Sequence, residues 1–188
     1  MKKNNAKRTV VVIALIALMA IPSMFAYFTD TDSAKNTFVF GDVEIELNET
    51  NWEEGEVNYE DAQSVVAGDV IAKDPTVTVN NATPTYVFMK VTQPEDAKYT
   101  IGEIGDGWKV LNESTADGKK VTVYYYDTIV KATCALPALF ETVSFAETLT
   151  EDGLADTTFD IDINAYAIQA ETFATADAAW TAAPAEWK

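Results

Sequence analysis

Thr85 to Gln93 reads TYVFMKVTQ, and Lys120 to Asp127 reads KVTVYYYD. Both runs are rich in β-branched and aromatic residues and lack the regular polar positions of a strand with one wet face, so they predict strands packed on both sides. Working outward, the period changes. Val43, Ile45 and Leu47 alternate with Glu44, Glu46 and Asn48, and Val77 and Val79 alternate with Thr76, Thr78 and Asn80. That is the spacing of strands with one buried and one solvated face. Leu139 to Ala146 (LFETVSFA) and Thr158 to Gln169 (TFDIDINAYAIQ) complete the main set, with Ile161, Ile163, Ala165 and Ala167 on one face.

Turn chemistry separates these runs at Gly68-Asp69, Asp74-Pro75, Asn80-Asn81, Thr83-Pro84, Gly105-Asp106-Gly107, Asp117-Gly118 and Asp152-Gly153. Closely spaced turns without long amphipathic helical patterns predict an all-β fold, an antiparallel sandwich or barrel. Only Glu171 to Ala183 (ETFATADAAWTAA) reads as helix, with Phe173 and Trp180 on one face.

The 188 residues carry 13 basic and 30 acidic side chains, a net charge of −17. So anionic a surface repels nucleic acid, whose binding needs Lys and Arg to displace counterions from phosphate. No histidine is present, which removes the commonest general base and transition-metal ligand. Metalloprotease HExxH motifs and Ser-His-Asp or Cys-His sites cannot be built. Cys134 is the only cysteine, so no intrachain disulfide forms, and its reading is a small buried apolar residue. Carboxylate pairs occur at Glu53-Glu54, Glu60-Asp61, Glu95-Asp96 and Asp160/Asp162. They read as solvated charge, because no complete calcium-loop or glycosidase pattern accompanies them. The residues therefore predict no enzyme, no cofactor, no catalytic residue and no metal ligand. Trp52, Trp108, Trp180, Trp187 and Tyr124 to Tyr126 could together line a sugar-stacking surface. Core packing is the expectation for most of them, with Trp187, near the chain end, expected to be exposed.

At the amino end, the basic stretch KKNNAKR (2–8) precedes a thirteen-residue apolar run, Thr9 to Ile21, which Pro22 ends. Thirteen helical residues span about 20 Å, short of a bilayer core of roughly 30 Å, so residues 1–26 read as a signal peptide cleaved between Ala26 and Tyr27. The mature balance is then nine basic against thirty acidic groups, or −21. Residues 27–37 (YFTDTDSAKNT) offer little to bury beyond Tyr27 and Phe28, which makes them a flexible segment. Residues 38–188 make the sandwich domain.

Three blocks taken together resemble one family. The first is AYFTDTDSAKNTFVFGDVEIEL (26–47), with its aromatic pair after the cleavage point and Gly41 before the alternating strand. The second holds Gly68, then Lys73-Asp74-Pro75, Asn81, and Tyr86 within PTYVFMKV; the third is DINAYAIQA (162–170), holding Tyr166 and Gln169, followed by Ala178-Ala179-Trp180. Their order and spacing are similar to those of the TasA and camelysin family of secreted bacterial matrix proteins. The resemblance implies a jelly-roll-like antiparallel β-sandwich with one or two short helices. It also implies processing by a SipW-type signal peptidase and an extracellular-matrix or cell-surface location. Its members polymerise head to tail with copies of themselves, the mature amino-terminal strand completing the neighbour's sheet, and other matrix proteins are possible partners. Tyr27, Phe28, Phe38 and Phe40 would then be the donor-strand anchors. Some members are described as metallopeptidases, a chemistry that a chain without histidine is poorly equipped for; an adhesion module is the remaining alternative.

Overall fold

A computed structural model of the chain describes residues 43–49, 65–80, 82–149 and 160–188. The segments expected as signal peptide (1–26) and donor (27–37), and the motif positions Gly41 and Asn81, lie outside the described residues.

The TYVFMKVTQ run is the centre of the molecule. It forms β4 (Thr85–Pro94), which pairs antiparallel with β10 (Asp162–Gln169) on one side and β7 (Lys119–Tyr126) on the other. β6 (Trp108–Ala116) extends the sheet beyond β7, giving the order β10-β4-β7-β6. A two-residue turn, Asp117-Gly118 with φ of 53° and 74°, joins β6 to β7. Such turns twist in the same sense as the strands they join.

The second layer contains two ladders: β1 (Ile45–Asn48), β3 (Thr76–Val79) and β8 (Cys134–Ala135); and β2 (Val70–Ala72), β9 (Thr142–Phe145) and β5 (Tyr99–Ile101). Backbone bonds join them into one sheet. Lys73 N–H donates to Glu141 C=O (3.0 Å), Leu139 N–H to Pro75 C=O (2.9 Å) and Leu136 N–H to Val77 C=O (2.8 Å). Residues 70–79 thus run antiparallel to 134–145 throughout. The register slips by one residue around Pro137-Ala138, since Ile71 faces Val143 whereas Thr78 faces Ala135. Among the described residues two antiparallel layers result, each four strands wide once the two ladders are joined, and they pack as a jelly-roll-like sandwich.

Alternation decides what each face buries. Val87, Met89 and Val91 of β4, with Ala165 and Ala167 of β10, point between the sheets. There they meet Ile45, Ile71, Val77, Val79, Val143 and Phe145. Tyr86 and Phe88 point the other way, with Val123, Tyr166 and Ile168, into a second cluster closed by the carboxyl-terminal segment. β4 is therefore covered on both faces, as its composition predicts. Within that cover, α1 (Ala176–Ala182) starts at Thr175, whose Oγ1 accepts the Ala178 N–H at 3.1 Å. Trp180 packs on Phe88 and Tyr166 at ring-centroid distances of 5.1 and 5.8 Å, and Trp187 on Tyr166 at 4.7 Å.

Two expectations are corrected. Trp187 is buried, with 1% of its surface exposed, because the 3-10 turn Ala185–Trp187 swings its indole into the aromatic cluster. Lys90 Nζ holds that turn by donating to the Trp187 carbonyl at 2.8 Å. Cys134 is exposed, not buried, because it lies in the two-residue β8 at the margin of the ladder.

Gly107 has φ +84°, and a Cβ there would lie 2.5 Å from Cε2 of Tyr126. A left-handed conformation alone costs a non-glycine residue about 1–2 kcal/mol. Gly107→Ala is therefore expected to destabilise by about 2 kcal/mol or more, a drop of at least about 4 °C in a thermal melt.

Burial raises the pKa of Tyr99, Tyr124 and Tyr166, with the Asp160 and Asp162 carboxylates adding to the effect at Tyr99. A raised folded-state value means that this stabilisation is complete below the unfolded phenol value near 10 and is lost as pH climbs through the folded values. With no imidazole in the chain, melting temperatures are expected to be level from about pH 6 to 9 and to fall above about pH 10.

Candidate functional site

Among the described residues, the side chains singled out for chemistry do not converge. Among the described residues no group of three His, Cys, Asp or Glu side chains is placed to hold a metal ion. Glu95, Asp96, Asp160 and Asp162 are exposed, as expected of solvated charge. The sugar-stacking row is not assembled either. Trp108, Trp180 and Trp187 are buried, Trp108 Nε1 donating to the Pro137 carbonyl at 2.9 Å, and Trp52 lies outside the described residues.

The family-motif positions build scaffold. Gly68 takes φ +87° in a turn where Asp69 Oδ2 accepts the Val66 N–H at 2.8 Å. The Asp74 carbonyl accepts from Thr76 Oγ1 at 2.9 Å, and Pro75 joins the buried row of β2 and β3. Tyr86 Oη donates to the Phe173 carbonyl at 3.4 Å, and Gln169 Nε2 to Glu171 Oε2 at 3.3 Å. Lys73 is 5% exposed, and its Nζ lies 2.5 Å from Glu49 Oε2. The sequence held a signal for this pair: Glu49 continues the inward row Val43, Ile45, Leu47, and Lys73 continues Ile71, Pro75, Val77. Tyr27, Phe28, Phe38 and Phe40 lie outside the described residues, as do Ala26, Gly41 and Asn81.

What remains is backbone, at the two margins of the central sheet. β6 is blunted. Its register shifts at Leu111, where one extra residue bulges between Val110 and Asn112. Lys109 pairs with Asp127 at 2.8 Å and Lys120 with Glu113 at 3.0 Å. These partners hold both carboxyls below the usual carboxylate range, led in each case by the side-chain hydrogen bond to the lysine. Bulges and charges of this kind keep an edge strand from pairing with another chain.

β10 carries no such protection. Its pairing with β4 runs through eight consecutive positions without a shift, and its sequence, DINAYAIQ, has one charge, at the first residue, and neither proline nor lysine. Hydrogen-bond parity shows which groups face outward. Thr85 exchanges both its bonds with Val130, at 2.9 and 3.0 Å, on the side away from β10. Thr85 and Gln169 are therefore a pair without mutual bonds, and Ala170 N–H, one step on, donates to Pro84 C=O at 2.7 Å. In an antiparallel ladder this parity alternates. Ile168, Tyr166, Asn164 and Asp162 bond to β4, while Gln169, Ala167, Ala165 and Ile163 direct N–H and C=O away from it. No described strand pairs with that outer edge. Ala165 and Ala167 are nonetheless 6% and 0% exposed, and main-chain groups withdrawn from water require partners. β1, a margin of the facing sheet, approaches β10.

Comparison of the chain with protein-family profiles, with curated proteins and with solved structures returned no match.

Proposed function

We propose that this chain is a secreted structural subunit of an extracellular fibre or matrix, polymerising with copies of itself by donating its mature amino-terminal segment to a neighbour's sheet. The observation that carries this reading is the regular, uncharged outer edge of β10, with buried residues and no described strand beside it. The basic stretch, short apolar run and small residue at Ala26 support export, with an aromatic pair exposed by cleavage.

Strand donation adds a hydrogen-bonding partner to such an edge. A contact between two different surfaces of the same subunit need not close, so it propagates as an open filament. Burial of Tyr27 and Phe28 contributes about 1.5–3 kcal/mol each, and some five ladder bonds add about 0.5–1.5 kcal/mol each. Association costs about 4–15 kcal/mol, so the inserted strand needs further subunit contact beside it.

Deleting residues 27–36 from the mature chain is expected to leave a folded monomer with an unchanged melting temperature and no filaments by negative-stain microscopy. Filaments from that variant would refute strand donation.

A further inference from the structure

We infer that the outer face of the central sheet carries an autocatalytic cross-linking site, in which Lys90 Nζ and Asn164 Cγ condense to an amide while Asp162 moves the protons. The inference does not depend on the fibre reading.

Register brings the three groups together. Lys90 of β4 lies directly opposite Asn164 of β10, and Asp162 stands two residues before Asn164 on the same strand. Alternation puts all three on the face that carries Phe88 and Tyr166. Directly opposed residues hold their Cβ atoms about 4.5–5.5 Å apart, a gap that a lysine side chain closes by folding toward its partner. Lys90 and Asn164 are half-buried, and Asp162 is exposed at the rim. Around Lys90 Nζ stand the Tyr166 ring, with its centroid 5.6 Å away, and the Trp187 carbonyl at 2.8 Å. Burial lowers the pKa of Lys90, and the Asp162 carboxylate opposes that shift. The free amine is therefore more available than on an exposed lysine, and a carboxylate is coupled to it.

Each group supplies one part of the reaction. Asp162 takes a proton from the Lys90 ammonium, which frees the Nζ lone pair to attack Asn164 Cγ. The new C–N bond forms, Nζ gives up a second proton, and the Cγ–Nδ2 bond breaks. Both protons go to Nδ2, which departs as ammonium. One N–H stays on Nζ, for the Trp187 carbonyl to accept. No oxidation state changes, and no co-reactant is consumed. A side-chain amide is a poor electrophile in water, and the rate comes from holding it beside the amine in a fixed ladder. With no histidine in the chain, the base is a carboxylate; with one cysteine, no intrachain disulfide is possible. This amide would instead tie β10 to the central strand through a bond that neither reductant nor denaturant breaks.

Intact mass spectrometry reads the bond. The purified, folded chain, incubated at neutral pH, is expected to fall short of its sequence mass by one ammonia, about 17 Da. Trypsin should then release a branched peptide containing both Lys90 and Asn164. Lys90→Arg keeps the cation and a donor for the Trp187 carbonyl but cannot condense, so it should retain full mass. Asp162→Asn should slow the loss at least about a hundredfold, and an unchanged rate would overturn the role of Asp162. Unsubstituted chain held unfolded in urea should keep its full mass, which ties the reaction to the fold even where a variant is unstable. Full mass in the folded, unsubstituted chain would overturn the inference. So would loss of ammonia from Lys90→Arg, which would place the loss in an imide of Asn164 and not in a cross-link.

Discussion

Trp187→Ala is expected to cost about 3–5 kcal/mol, the range for removing a large aromatic side chain from a core. Substitutions at exposed surface positions ordinarily fall within about 0.5 kcal/mol. The difference arises because Tyr166, Phe88, Trp180 and Trp187 form one packed group on the outer face of the central sheet. In a chain of this size the loss corresponds to a melting temperature lower by about 10 °C. Trp187→Phe should recover part of it, and the near-ultraviolet circular dichroism of the ring cluster should weaken in the alanine variant. An unchanged melt would mean that the terminal turn is not docked.

Lys73→Ala is the second large effect. Lys73 and Glu49 are the charged members of two otherwise apolar inward rows, with side chains 6% and 15% exposed. Removing one partner of a buried ion pair costs about 3–5 kcal/mol, because the remaining charge loses its counterion without regaining water. Replacing both by apolar residues of similar volume is often neutral or stabilising by about 1–4 kcal/mol. Urea denaturation should accordingly give a strongly lowered midpoint for Lys73→Ala and a largely restored one for Lys73→Met with Glu49→Leu. If the single substitution proved neutral, the pair would be behaving as a surface contact. A double variant as unstable as the single would assign Lys73 some role besides neutralising Glu49.

How far the structure could be read from sequence follows from how each element is stabilised. β1, β3 and β10 were legible because side-chain alternation against a core selects them, and β4 and β7 because β-branched and aromatic runs mark strands packed on both sides. β6 was not: beyond Trp108 its positions are largely exposed, and its bonds to β7 define it more than its composition does. β2 and β5 are three residues each, too short to show a period. Trp187 and Cys134 were misplaced for one reason: exposure was judged from position along the chain or residue type, whereas tertiary contact determines it. The candidate site was half legible. Ile163, Ala165 and Ala167 were assigned to one face, but that β10 lies at a margin is a property of strand order, which involves residues about eighty positions away.

Double coverage of β4 also sets an order of events. One flank and one face of that strand are supplied by residues 162–187, which lie downstream of it and are synthesised after it. A nascent chain lacking them has its central strand bare on two sides and cannot complete its fold. Closure of the sandwich over β4 therefore waits until residues 162–187 have been synthesised.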